Sequence, residues 1–313
     1  MNRLLVYFFF FLSCSSISYG ALQDHLKRAG GKGDDHKIRN IDFIYMINLD
    51  RRPEKYALSK AYLERYGINP YRFSAVNGWE LSMEAINDVG VKYKKGMTPL
   101  LATTYITRDG KKIQSHEFMK EDGRTYFVHC MPLGAIGCAL SHISILQDAY
   151  DSGYETIWVV EDDIEVLENP CILSDLVDEL DLAVGKGGWD VLFTDRDYRI
   201  GVDKYLPAFG VAKRPDMDCS QQERFSSKYT QEKQINNHFR KIAARFGTTS
   251  MIIRRSGIIK LLEFSKTRNI FLTYDLENYC PDGIRRYALT FDVVTNMLNS
   301  FSDIGVPHYL NKP

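Results

Sequence analysis

The stretch Thr156-Ile157-Trp158-Val159-Val160-Glu161-Asp162-Asp163-Ile164 constrains this chain more than any other. Five residues rich in β-branched and aromatic side chains run straight into three carboxylates, the pattern of a buried strand that delivers charge to the edge of a sheet. Adjacent carboxylates repel one another, and a divalent cation among them relieves the repulsion. Open α/β sheets bind their ligands at the carboxyl ends of strands. In a continuing strand Glu161 and Asp163 share one face and Asp162 takes the other. Glu161 and Asp163 are therefore candidate ligands for a hard cation, Mn²⁺ or Mg²⁺, whose shell is completed by phosphate oxygens and water. A solvated acidic turn is the plainer alternative for the same residues.

The remaining composition limits what such a site can serve. The 313 residues are 44% hydrophobic, enough for a large core, and 40 Lys plus Arg balance 40 Asp plus Glu. With no basic surplus, nucleic acid is not an expected partner, and any charge-dependent function is local. Residues 1–20 carry Asn2 and Arg3, an apolar run from Leu4 to Leu12, and small residues at Ser18 and Gly20. That is a signal-like leader, too short to span a bilayer, and it predicts the secretory pathway or membrane association, with the cytoplasmic face open if the leader is retained. Residues 21–40, with Gly30-Gly31-Lys32-Gly33-Asp34-Asp35, read as a solvated linker before a domain at 41–313. Beyond the leader, Cys130, Cys138, Cys171, Cys219 and Cys280 form no C-x-x-C pair, and their odd number and wide spacing fit neither a zinc motif nor a disulfide framework.

Strands and helices alternate along the domain. Ile41 to Leu49 reads as a strand, Asp50 as a helix cap with Pro53 in the first turn, and Leu58, Ala61, Tyr62 and Tyr66 as a helical face. Tyr71 to Val76 is a second strand, which gives a β-α-β unit. Residues 79–130 carry Asp109-Gly110 and Asp122-Gly123 turns and predict a hairpin-bearing insertion on the main sheet. A helix follows on Ile136, Leu140, Ile143, Leu146 and Tyr150, then the acidic strand, a helix around 173–182 and a strand at 189–194. Residues 198–240 lack apolar periodicity and read as a lid or irregular excursion. Thr248 to Arg254, a helix capped by Ser256, and Ala288 to Val294 complete a mainly parallel three-layer sandwich.

Two further stretches carry candidate chemistry. Asn48-Leu49-Asp50-Arg51-Arg52 joins the first strand to a helix amino terminus, where backbone amides and guanidinium groups receive a diphosphate. Neither a Gly-x-Gly-x-x-Gly nor a Walker A sequence occurs, which argues against a dinucleotide enzyme or a P-loop ATPase. Gly134-Ala135-Ile136-Gly137-Cys138-Ala139-Leu140-Ser141-His142 places glycines at a helix start, where they permit close backbone approach to a ligand. Ser141 and His142 are adjacent on a helix and diverge by roughly 100°, so they do not form a hydrolase dyad. His142 reads equally as a ligand contact or as a satisfied core histidine.

Five segments in order make the chain resemble glycosyltransferase family 25, which includes bacterial lipooligosaccharide and collagen galactosyltransferases. They are INLDRRPEK (47–55), FSAVNG (73–78), GAIGCALSHISIL (134–146), WVVEDDIEV (158–166) and FSDIG (301–305). The resemblance implies a GT-A type, Rossmann-like fold, a UDP-sugar donor, and Mn²⁺ held by an acidic signature matching Glu161-Asp162-Asp163, with Asp163 the direct ligand. It puts Asn48, Arg51, Asn77, Gly134, Ser141, His142, Glu161 and Asp162 near donor and metal. Asp275, in Leu272-Thr273-Tyr274-Asp275, is the candidate general base although this element lacks the family's proline, and Asp303 is the second candidate. The implied reaction is an inverting hexose transfer, galactose or glucose first, to a glycan, a lipid-linked saccharide or a protein hydroxyl, as in lipopolysaccharide biosynthesis. A binding module without turnover is the alternative. A metal-dependent phosphohydrolase needs more His and Asp ligands in compact motifs than the sequence offers.

Overall fold

The structure is a computed structural model that describes residues 21–33, 38–129, 131–208, 213–217, 232–298 and 300–305. The expected leader, Cys130, Cys219 and much of the expected lid lie outside the described residues.

In chain order the strands begin with β1 (Phe43–Asn48), β2 (Tyr71–Ser74), β3 (Val91–Lys92), β4 (Leu101–Arg108), β5 (Lys111–Phe118) and β6 (Thr125–Val128). They continue with β7 (Thr156–Glu161), β8 (Ile164–Val166), β9 (Val191–Phe193), β10 (Tyr198–Gly201) and β11 (Lys204–Leu206). The last are β12 (Lys233–Gln234), β13 (Phe239–Ile242), β14 (Ser250–Arg254), β15 (Arg286–Leu289) and β16 (Val294–Asn296). The helices used below are α1 (Pro53–Glu64), α2 (Met83–Val89), α3 (Leu133–Asp151), α4 (Leu173–Val184), α5 (Arg255–Arg268) and the single turn α6 (Tyr274–Glu277).

Eight strands form one sheet in the order β12-β13-β15-β9-β14-β7-β1-β2. The pairs β2-β1, β1-β7 and β9-β15 are parallel, whereas β7-β14, β14-β9, β15-β13 and β13-β12 are antiparallel. The protein is thus α/β, but its sheet is mixed rather than mainly parallel. β14 enters between β7 and β9 antiparallel to both, and β13 runs antiparallel to β12 and β15 near one edge.

Side chains along the central strands alternate between two apolar cores. Ile157 and Val159 join Tyr45, Ile47 and the α3 residues Ile136, Leu140 and Ile143 on one face. Trp158 and Val160 join Ile44, Met46, Leu63 of α1 and Leu176 and Leu180 of α4 on the other. Helices therefore cover both faces, as the near-continuous apolar runs of β1 and β7 require. Trp158 is fully buried and donates from Nε1 to Ser250 Oγ at 2.9 Å, which satisfies its polar edge and ties β7 to β14.

Several local expectations change. The insertion contains the expected β4-β5 hairpin, turned at Asp109-Gly110 with φ of 51° and 73°, but it builds its own sheet, β3-β6-β4-β5. The 21–33 segment expected as a linker is docked: Leu22 is fully buried, Lys27 N donates to Ser144 Oγ at 3.0 Å, and Lys32 pairs with Asp148 at 2.8 Å. Part of the expected lid is ordered as the β10-β11 hairpin, whose Arg199 N donates to Asn296 Oδ1 at 2.9 Å. Asp50 does not cap α1; it accepts from Arg72 at 2.9 Å and Ser74 at 2.7 Å. Ser256 lies inside α5 and donates to Asp190 at 2.6 Å. The inward face of α1 is Ser59 and Leu63, while Leu58 and Tyr66 are exposed.

Candidate functional site

Strand β7 ends at Glu161, and the chain turns at Asp162 and Asp163 before β8 begins. The turn is pinned through its backbone. Ser59 Oγ donates to Asp162 O at 2.7 Å and accepts from Ile164 N at 3.3 Å, and Met297 N donates to Asp163 O at 2.7 Å. Because the strand stops, the expected alternation fails: Glu161, Asp162 and Asp163 all border one cavity. Ser59 escaped the sequence reading because a serine among helical apolar positions looks like a solvent contact. Its spacing from Lys55 and Leu63, four residues either way, was the available signal.

Each acid has a different environment. Glu161 accepts from Thr248 Oγ1 at 2.7 Å and lies 3.4 Å from His142 Nε2. Burial pushes its carboxyl up, but His142 and Thr248 outweigh burial and hold it below its ordinary value. Asp162 accepts from Asn48 Nδ2 at 2.6 Å, yet burial raises its pKa to about 6. Asp163 is raised to about 7 by burial first and then by Glu161 and Asp162, and its Oδ1 is buried without a partner among the described residues. Lys55 favours the charged form of all three acids, but at Asp162 and Asp163 burial and the neighbouring carboxylates outweigh it.

A second cavity meets the first at this turn. Cys138, Glu161, Asp163, Ser302 and Ile304 wall both. The first adds Lys55, Asn77, Trp79, Gly134, Ser141 and Asp303; the second adds Tyr198, Thr248, Tyr274, Asp275 and Asn296. Asp275 Oδ2 accepts from Gly247 N at 3.1 Å and Oδ1 from Leu276 N at 3.0 Å, which fixes the carboxylate at the start of α6.

The other sequence candidates differ in what they touch. Asn48 is buried and structural in its contacts: it donates to Arg52 O at 2.8 Å as well as to Asp162, accepts from Arg72 Nε at 2.8 Å, and borders neither cavity. Ser141 Oγ donates to Gly137 O at 2.7 Å and accepts from Val76 N at 2.8 Å, so it holds the 76–78 loop against α3. Asn77 accepts from Trp79 N at 3.3 Å at the start of the next turn. The helix-start glycines permit close protein packing, since a Cβ on Gly137 would meet Gly78 N at 2.4 Å and one on Gly134 would meet Ile304 O at 2.1 Å, and Gly134 also walls the first cavity.

His142 is buried, and its ring stacks on Tyr274 at 4.2 Å between centroids with a 13° interplanar angle. Arg51 is half exposed and stands 3.9 Å from Asp303. Asp303 itself is held by Lys55 at 2.8 Å and by Arg52. Burial opposes its charge, but Lys55 and Arg52 outweigh burial and hold its carboxyl below the usual range. A carboxylate paired in this way favours its charged form and is tied to the start of α1. Lys55, absent from the sequence candidates, is the cation at the acid turn, since α1 starts at Pro53 and projects its first-turn lysine there.

Comparison with known proteins agrees with the sequence resemblance. Residues 41–276 match the family described as Glycosyltransferase family 25 (LPS biosynthesis protein). The chain is 30% identical over 175 residues to a protein named Glycosyltransferase 25 family member from Aedes aegypti, a match covering 56% of this chain and 24% of that protein. A Drosophila melanogaster protein of the same name is 29% identical over 175 residues, with coverage of 56% and 24%. The human protein named Inactive glycosyltransferase 25 family member 3 is 26% identical over 156 residues, covering 50% of this chain and 22% of its own length. The matches thus span about a quarter of the length of these curated relatives.

Proposed function

The chain belongs to glycosyltransferase family 25, and from that premise we propose that it is a metal-dependent transferase moving a hexose from a UDP-sugar to an acceptor hydroxyl with inversion. The observation that carries this reading is Asp163: a buried carboxylate oxygen, Oδ1, without a partner among the described residues, in an acid turn shared by two cavities. Asp163, with Glu161 beside it, would hold Mn²⁺ or Mg²⁺, since hard oxygen ligands suit those ions. When bound, such an ion supplies Lewis-acid stabilisation of the charge that develops on the leaving diphosphate.

The protein's own groups divide the remaining work. In this reading the donor takes the first cavity, with Lys55 near the diphosphate and Asn77 and Trp79 beside the nucleoside. The acceptor takes the second cavity. There Asp275, oriented by the Gly247 and Leu276 amides, removes the hydroxyl proton as the oxygen attacks the anomeric carbon and the bond to UDP breaks. The acceptor is a glycan, a lipid-linked saccharide or a protein hydroxyl. The leader adds a membrane-attached or secretory location, tested by sequencing the mature amino terminus.

The test is UDP release from a panel of UDP-sugars with Mn²⁺. Asp163→Ala is expected to abolish metal-dependent turnover, and full activity in that variant sinks the metal assignment. Asp275→Asn is expected to lower kcat by about 10²-fold or more with little change in donor KM; an unchanged kcat removes Asp275 as the base. A second reading, a nucleotide-sugar binding module, is favoured by the name of the human relative, Inactive glycosyltransferase 25 family member 3. It predicts calorimetric donor binding with no UDP released.

No described helix is long and apolar enough to cross a membrane.

A further inference from the structure

One group of side chains near the acid turn has a chemistry unlike the carboxylates. Cys138 and His142 lie four residues apart on α3, hence on one helix face, and Glu161 approaches them from the end of β7. The Cys138 Sγ, a His142 ring nitrogen and a Glu161 carboxylate oxygen all lie within 4.8 Å of one another. The His142 Nε2 to Glu161 Oε1 separation is 3.4 Å. That is long for a charge-assisted hydrogen bond. It matches the edge of a tetrahedral zinc site, roughly 3.3–3.4 Å for zinc–nitrogen and zinc–oxygen bonds of about 2.05 Å.

The surroundings orient two of the three ligands in advance. Tyr274 stacks flat on the His142 ring and fixes its plane. Thr248 Oγ1 donates to Glu161 at 2.7 Å, the kind of outer contact that aims a ligating carboxylate. Cys138 and Glu161 border both cavities, so a fourth coordination position opens to solvent or substrate.

From this the geometry points to a soft-metal site: Cys138, His142 and Glu161 bind Zn²⁺ through one sulfur, one nitrogen and one oxygen, with the fourth position open. Binding replaces the thiol proton, which leaves to solvent as the sulfur–zinc bond forms; no oxidant or reductant is involved. The site differs from the hard-ion site by ligand type. Thiolate and imidazole select zinc, whereas Asp163 offers only oxygen and suits Mn²⁺ or Mg²⁺. The two share Glu161, so zinc at the first site opposes Mn²⁺ at the second.

The experiment is cobalt(II) titration of the reduced, metal-free full chain, read by the near-ultraviolet thiolate-to-cobalt charge-transfer band and by tetrahedral d–d absorption, with zinc added to displace the cobalt. The wild type is expected to show both features and to lose them on adding zinc. Cys138→Ser, close in volume, is expected to lose the charge-transfer band, and His142→Gln to weaken cobalt affinity about 10-fold or more. Cys171→Ser, an exposed cysteine elsewhere, is expected to keep the band. A band that survives Cys138→Ser, or cobalt binding without a thiolate band in the wild type, overturns the site. Circular dichroism checks that each variant is folded, and if His142→Gln is not, the Cys138→Ser spectrum decides. Asp163→Asn separates this inference from the transferase reading: it is expected to lose Mn²⁺-supported turnover and keep the cobalt band, so either can fail alone.

Discussion

Two acidic positions beside central strands of the sheet, Asp190 at β9 and Asp163 at β7 with β14 between them, show how the same residue type meets opposite electrostatic surroundings. Asp190 immediately precedes β9 and is fully buried. It accepts from Ser256 at 2.6 Å, Lys260 at 2.8 Å and the Arg285 backbone at 2.7 Å, and it pairs with the Arg285 guanidinium at 3.1 Å. Burial opposes its charge, but Arg285, Lys260 and Ser256 outweigh burial and lower its pKa. Asp163, just past β7, has one oxygen without a partner among the described residues, two acids beside it, and a pKa raised to about 7. A protein that needs only a fold neutralises its buried acids internally. At Asp163 burial and the two neighbouring acids outweigh Lys55, so the carboxyl holds its proton to higher pH.

Opposite stability effects at the two positions provide the sharpest test. Asp190→Asn leaves Lys260 and Arg285 without their carboxylate and is expected to cost about 3 kcal/mol. Asp163→Asn removes like-charge repulsion and is expected to raise the melting temperature of the metal-free protein at pH 8. Denaturant unfolding of both variants checks this; a comparable loss in both erases the distinction.

A pH series tests the same contrast with a smaller effect. Asp162 and Asp163 have folded pKa values of about 6 and about 7, above the ordinary aspartate value. Between the unfolded and folded values the folded state holds more protons, so its stability falls as pH rises from about 4 through 7. The metal-free protein is expected to be less stable at pH 8 than at pH 5 from this source, and Mn²⁺ to restore stability more at pH 8. Asp190 works in reverse: its lowered pKa gives stability that is present above the unfolded value and lost as pH falls. A thermal-shift series with and without Mn²⁺ reads both; an Asp163→Asn variant with the wild-type pH profile contradicts the assignment. The smallest effect is expected from Asn48→Ala, which frees Asp162 from its amide and should weaken Mn²⁺ affinity about 10-fold by calorimetry.

The sequence carried the acid turn, the β-α-β start, the long α3 helix and the hairpin, because each depends on residues close in the chain. An apolar run ending in three acids makes a strand end, and Asp109-Gly110 between strand-like segments makes a hairpin turn. It also carried the family, through five short segments in order. It missed the relation between residues far apart. Lys55, Ser59 and Thr248 reach the acid turn only because α1 and the segment before β14 pack against the end of β7.

Sequence by itself determined the local inventory: three adjacent carboxylates, a helix bearing cysteine and histidine one turn apart, and an aspartate late in the chain. Tertiary structure decided what each became. Asp303 was a candidate base by residue type, and Lys55 and Arg52 make it an ion-pair partner. Gly134 and Gly137 were candidate ligand contacts, and the close backbone packing at both came from distant segments. Glu161 was an acid among three until α3 brought His142 to 3.4 Å and Cys138 alongside. Local pattern follows from the covalent order of the chain. Burial and charge pairing depend on which distant segments the core brings together, and those set the chemistry of a carboxylate.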